Sequence, residues 1–298
     1  MKRAIALGFF DGVHVGHGEL LNMAKQRAAE IGAVPSVLSF DVHPDTLVFN
    51  TDVPLITDTK GREEIIKRCF GIEDVVFIHF SKYVMQMPWD EFLDSIIQEL
   101  DVEWIVCGHD FTFGKMGQGN ATLLQQYCKE HGIGADVIPE VRIDGVTVSS
   151  TYIRTLISDG DIERANLFLG HPHCFSDTVH SGYHLGQKLD APTINMFFPE
   201  GVIVPKHGVY ATKAVLSDNK EYIAVTNIGV RPTVSNEGKV SVETHLLDFE
   251  GNLYNSPARI DFYNFIREEK KFDSLSKLSD QIKLDTLETR KYFEICSA

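Results

Sequence analysis

The chain has 298 residues, 43% of them apolar, and a formal net charge of −14. That is enough apolar material for two cored domains, and the acidic balance excludes the basic stripe a nucleic-acid partner needs and disfavours an anionic membrane surface. No apolar stretch approaches a membrane span, the start Met1-Lys2-Arg3 lacks the apolar run of a signal peptide, and Cys69, Cys107, Cys128, Cys174 and Cys296 have no metal-ligand spacing, so they read as reduced thiols of a cytoplasmic protein.

In chain order, "RAIALGFF" reads as a buried strand. "GELLNMAKQRAAEIG" places Leu20, Leu21, Ala24, Ala28 and Ile31 on one helical face, with Gly32 as its C-cap. "VPSVLSF" is a second strand, "REEIIKRCFGI" a helix and "DVVFIHF" a strand. "PWDEFLDSIIQEL" is a helix with Pro88 in its first turn. "VEWIVCG", "ATLLQQYCKEHGI" and "ADVIPEV" continue the alternation, which predicts βαβ units and a Rossmann-like parallel sheet. The helix-rich "TYIRTLISDGDIERANLFLG" follows.

The second half changes period. "GVYATKAVL", "EYIAVTNIG", "VSVETHLLDF" and "ARIDFYNFI" are strands separated by turn signals, which predicts a small antiparallel barrel or sandwich. "SLSKLSDQIKLDTLETRKYF" is a closing amphipathic helix. The boundary falls near Leu169–His173, giving domains 1–168 and 169–298.

"GFFDGVHVGH", Gly8 to His17, lies where the first strand runs into the first helix. Ligands of open parallel sheets sit at that edge. Gly12 and Gly16 let the backbone approach a phosphate, and the helix N-terminus offers unpaired N–H groups. His14 and His17 can both face the phosphates, where an imidazolium would stabilise charge on a leaving pyrophosphate. The plainer alternative is a tight turn with two incidental histidines; zinc at the same pair lacks a third ligand. No Walker-type G-x-x-x-x-G-K-[ST] run is present, since "GHDFTFGKM" has the wrong spacing.

The stretch resembles the G-x-F-D-G-x-H-x-G-H signature of nucleotidylyltransferases, and "VSSTYIR", Val148 to Arg154, resembles their S-S-T-x-I-R element. "LSFDVHP" and "CGHDFTFG" are similar to elements of bacterial bifunctional riboflavin kinase/FAD synthetases. So are "PTIN", "PKHGVYA", "NIGVRPTV", "ETHLLDF" and "IREEKKF" in the second half. The resemblance runs along almost the whole chain. It implies a nucleotidylyltransferase domain that joins FMN to the AMP part of ATP, giving FAD, followed by a riboflavin-kinase-like β-barrel.

It assigns ATP phosphates to His14, His17, Ser150, Thr151 and Arg154, with Gly8, Phe10, Asp11, Gly12, Gly16, Ser149 and Asp110 around the nucleotide. Phe40, Phe49 and Phe113 are candidate walls for an isoalloxazine ring, although Phe40 also suits plain core. In the second domain Thr193 and Asn195 match the pair that binds ATP and Mg2+, Glu243 the general base for riboflavin, and Arg267 a residue beside the flavin. Glu243 alternates with Val240, Val242, Thr244 and Leu246, so the alternative for it is a solvent-facing strand position.

One run departs from the family. "GQKLDAPTIN" has Gln187 for an arginine, Asp190 for a glycine and Ala191 for a phenylalanine. The loop loses one cation and gains one anion where phosphates are expected, which predicts a weak or inactive kinase. The alternatives are a fully bifunctional enzyme, a flavin- or nucleotide-sensing protein without turnover, and a nucleotidylyltransferase of another substrate. Small molecules are the expected partners in each case.

Overall fold

The computed structural model describes residues 1–180, 193–230 and 240–297. The chain divides into two compact units, Met1–Ser150 and Thr151–Ala298. In the first, β1 (Arg3–Leu7), α1 (Val15–Ile31), β2 (Val34–Phe40), α2 (Pro44–Phe49) and α3 (Thr59–Ile65, continuing as a π-helical turn to Phe70) lead to β3 (Asp74–Ile78). Then come α4 (Lys82–Gln86), α5 (Trp89–Leu100), β4 (Val102–Gly108), the hairpin β5 (Thr112–Phe113) and β6 (Gly119–Asn120), α6 (Ala121–Glu130) and β7 (Gly134–Ile138). A second hairpin, β8 (Arg142–Ile143) and β9 (Val146–Thr147), ends the unit.

The sheet order is β3-β2-β1-β4-β7, and every pair is parallel. Ala4, Ile5, Ala6 and Leu7 of the central β1 are buried, as an interior strand covered on both faces requires. The chain lays β2 and β3 on one side of β1 and then β4 and β7 on the other. That reversal opens a crevice at the C-terminal end of β1, where Gly8–His17 begins. α1 buries Leu20, Leu21, Ala24 and Ala28 and ends at Gly32 in the left-handed region (φ 65°), its N–H bonded to the Ala28 carbonyl. Pro88 is the extended N-cap of α5 rather than part of its first turn. The short helices α2 and α4 and both hairpins lie outside the sequence expectations, because segments of that length show no hydrophobic period.

α7 (Ser150–Asp159) and α8 (Ile162–Leu169) break at Gly160 (φ 83°), where Asp161 caps the second helix by accepting from Arg164 N–H. β10 (His173–Thr178), β11 (Thr193–Met196), β12 (Gly208–Leu216), β13 (Glu221–Val230), β14 (Val240–Leu246) and β15 (Pro257–Arg267) precede α9 (Leu275–Ser297). The strands form a six-stranded antiparallel sheet, order β10-β15-β12-β13-β14-β11. It curls until His180, just past β10, bridges Asn195 of β11, with His180 N–H donating to the Asn195 carbonyl at 2.8 Å. Phe175, Tyr210, Ile228, Val242 and Phe262 fill the interior of this half-barrel. α9 lies against β12, β13 and β15 as the closing helix. β10 and β11 escape the sequence reading because each is short and mixed in polarity.

Candidate functional site

The loop after β1 is held in an uncommon backbone. Phe10 (φ 58°), Gly12 (φ 75°) and Val13 (φ 45°) all lie in the left-handed region. Only glycine adopts it freely; a β-branched valine there is strained, and strain of this kind persists only when the surroundings over-determine it. Here they do. Phe10 and Val13 are fully buried. The buried Asp11 carboxylate accepts from Ile56 N–H at 2.8 Å and Thr57 N–H at 3.1 Å. Gly12 N–H donates to Thr57 Oγ1 at 3.1 Å, and Ser150 Oγ donates to the Asp11 carbonyl at 3.0 Å. The two motifs read from the sequence are therefore hydrogen-bonded to each other. Asp11 and Ser150 serve at least in part as clamps on the loop, a task the sequence did not reveal, and Thr57 was missed.

His14 is the N-cap of α1, its Nδ1 accepting from His17 N–H at 3.2 Å. An accepting Nδ1 leaves the proton of the neutral ring on Nε2. The His14 and His17 rings stack with centroids 3.5 Å apart and planes 9° apart, and Phe10 meets His17 edge-on at 5.1 Å. A Cβ on Gly16 would stand 3.2 Å from the His14 ring, and one on Gly8 would stand 3.2 Å from the Phe10 ring, so these glycines make room for side chains of the loop itself. Burial, then His14, then Arg62 hold the His17 imidazole well below its usual proton affinity. The surroundings of His17 thus disfavour the expected imidazolium. The physical reason is enclosure, which penalises the charged form, with smaller contributions from His14 and then Arg62. His17 Nδ1 is enclosed without a hydrogen-bond partner.

Of the remaining candidates in and after this unit, Ser149 and Arg154 are half-buried and Thr151 is exposed. The Asp110 side chain is 82% exposed. Phe49, on α2, is 67% exposed, whereas Phe40 and Phe113 belong to the core beside Phe92.

In the second unit a cavity of about 330 Å³ is lined by Thr193, Asn227, Glu243, His245, Arg267 and Phe272, among others. Strand pairing sets Asn195 opposite Glu243 and Thr193 opposite His245. Val242, Thr244 and Leu246 do face the core, and the opposite face that carries Glu243 looks into this cavity rather than plain solvent. Arg267 is fixed by a two-pronged ion pair, Nε to Asp285 Oδ1 at 2.9 Å and Nη2 to Oδ2 at 2.7 Å. Gln281 donates to the same carboxylate at 2.8 Å. Asp285 was missed, yet it shares the inward face of α9 with Leu278 and Ile282, and an acid on an apolar face signals a buried cationic partner. Gln187, Asp190 and Ala191 lie outside the described residues. Among the described residues no three His, Cys, Asp or Glu side chains are grouped to hold a metal, and no helix is long and apolar enough to cross a membrane.

Comparison with known proteins gives a consistent picture. The FAD synthetase family model matches residues 1–152 and the riboflavin kinase model residues 169–293. Bifunctional riboflavin kinase/FMN adenylyltransferases from Listeria monocytogenes and Bacillus subtilis are 32% and 34% identical to this chain, each covering 98% of it and 93% of the relative. A crystal structure described as a macrolide-efflux protein from Streptococcus pneumoniae superposes with a TM-score of 0.85 at 28% identity, covering 97% of this chain and 94% of that one. The chain belongs to the family of bifunctional riboflavin kinase/FMN adenylyltransferases, and it is an FAD-forming FMN adenylyltransferase.

Proposed function

We propose that residues 1–168 transfer AMP from ATP to FMN at the loop Gly8–His17. An FMN phosphate oxygen attacks the α-phosphorus, the bond to the β-phosphate oxygen breaks, and pyrophosphate leaves. The observation that carries this reading is the stacked His14/His17 pair at the N-terminus of α1, with Ser150 bonded to the same loop. Neutral imidazoles and helix N–H groups are donors aimed where leaving-group charge develops, so they favour the transition state over the bound substrate. Arriving phosphates would also restore proton affinity to His17. Arg154, one helical turn beyond Ser150, adds a planar fork for a phosphate. Exposed Phe49 is the best-placed of the three aromatic candidates to meet a flavin ring.

Residues 169–298 form the riboflavin-binding half of this proposal. Thr193 and Asn195 present neutral oxygen atoms on one strand, a donor type that suits Mg2+ held mainly by nucleotide phosphates. Bound there, the ion would neutralise phosphate charge. Glu243 would take the proton from the riboflavin hydroxyl. The Gln187 and Asp190 substitutions make this activity weak or absent in the proposal. A second reading, kinase activity at full rate, draws on one observation: Thr193, Glu243 and Arg267 line a single cavity. The five free cysteines fit a reducing compartment, so the proposed location is the cytoplasm.

The test is an assay of the full chain with ATP and Mg2+, given FMN or riboflavin alone. FAD from FMN but not from riboflavin is the expected result. Comparable rates from both would overturn the weak kinase. Asp190→Gly with Gln187→Arg should then raise riboflavin phosphorylation, more than either change alone if both meet one phosphate.

A further inference from the structure

Arg62, on α3, is fully buried, on the same helical face as Ile65 and Ile66. Its Nη1 donates to the Phe9 carbonyl at 2.7 Å and lies 3.0 Å from Ser39 Oγ; its Nη2 donates to Thr59 Oγ1 at 3.3 Å. Ser39 Oγ also donates to the Phe9 carbonyl, at 2.8 Å. The guanidinium lies over the Phe9 ring at 4.3 Å and the Phe77 ring at 5.4 Å. Its Nε is enclosed without a partner. Among the described residues no carboxylate comes within ion-pair distance of it; the acids that act on it, Asp11, Asp58 and Asp41, do so from further away. Burial lowers its pKa to about 10, so the charge remains at neutral pH.

A buried cation with no counter-charge is costly and rarely kept without a reason. Arg267 shows the ordinary solution, a two-pronged carboxylate. Arg62 instead faces the backbone of the loop that precedes His14 and His17. We propose that Arg62 is a positioning residue for adenylyl transfer: it fixes the Phe9 carbonyl and so the backbone of the loop that meets the substrate phosphates. This rests on the adenylyl-transfer reading above. The coupling to His17 supports it, since Arg62 lowers the proton affinity of that ring, after burial and His14. Phe9 and Ser39 hold the guanidinium with polar and aromatic contacts.

The test compares Arg62→Met and Arg62→Lys in the full chain, reading kcat and KM for ATP, the pH profile of FAD formation, and thermal melting. Arg62→Met should lose roughly 100-fold in efficiency, and its acid limb should move up only slightly, because burial and His14 continue to hold His17 below the ordinary histidine range. Arg62→Lys should keep the acid limb in place and recover part of the ATP affinity. Its kcat should stay roughly tenfold low, because an ammonium cannot replace the fork. A loss in Arg62→Met that only follows the melting temperature, with kcat and KM for ATP unchanged where the variant is folded, would reduce Arg62 to a structural residue and overturn the proposal. If Arg62→Met does not fold, Arg62→Lys decides: a lowered kcat with the limb in place supports the proposal, and a shifted limb overturns it. Failure of the unaltered protein to form FAD would overturn the adenylyl-transfer reading itself, and this inference with it.

Discussion

The loop Gly8–His17 and the cavity around Glu243, the two proposed ligand sites, are built in opposite ways. The loop is ten consecutive residues whose backbone is forced into shape, with clamps from Ile56, Thr57 and Ser150. The cavity is assembled from β11, β12, β13, β14, β15 and α9, with side chains distant in sequence. Their arginines differ in the same sense. Arg267 is neutralised by Asp285 from a helix that arrives late in the chain, while Arg62, among the described residues, has acids acting on it only from beyond ion-pair distance. A contiguous site stores its specificity in dihedral angles; a dispersed one stores it in pairings between elements.

That contrast can be broken at the dispersed site first. Asp285→Asn leaves the half-buried Arg267 without its counter-ion, and removal of one partner from a fully buried pair costs about 3–5 kcal/mol, an upper bound here because Arg267 also meets the cavity. Urea unfolding of the full chain should show the loss; a change near zero would mean that water already compensates Arg267. At the contiguous site the effect should fall on rate. His14→Ala and His17→Ala should each lower kcat for FAD formation by roughly 100- to 1,000-fold with a smaller change in KM for ATP. Normal turnover in both variants would remove the imidazoles from the chemistry.

The next test separates enclosure from function. His173, in β10, is buried with neither ring nitrogen hydrogen-bonded, and burial, with His171 second, lowers its pKa to about 3. The unfolded chain takes up a proton there as pH falls through about 6.5, and the folded one does so only near the lower value. Between these limits the unfolded state binds more protons, so stability drops as pH falls, by roughly 1.4 kcal/mol per unit. His173→Phe, which keeps the aromatic packing against Phe262, should therefore lose about 2 kcal/mol less than the unaltered protein between pH 6.5 and pH 5. Identical acid sensitivity of the two proteins would refute the assignment. The smallest effect expected is Arg154→Lys, about tenfold in catalytic efficiency, because a point charge replaces a planar fork. Equal efficiency would give Arg154 another task.

The order of strands and helices, the change of period between the two halves, and the chemistry-bearing loop were legible because each is a local property. Gly12 and Gly32 mark left-handed positions, apolar residues recur at the period of their element, and His14 and His17 lie within one turn of one helix. The tertiary structure alone decided which of these residues are clamps and which remain available. Asp11 looked like a ligand and is bound to the backbone of Ile56 and Thr57; Phe40 and Phe113 looked like flavin walls and are packed among Phe92 and its neighbours. Arg62 carried a readable hint, a charge at the apolar spacing of Ile65 and Ile66, as Asp285 did beside Ile282. What no periodicity contains is the partner. A carboxylate from α9 pairs with Arg267 and, among the described residues, none is within ion-pair distance of Arg62, because pairing depends on which elements pack side by side, and the lowered proton affinity of His17 follows from that same packing.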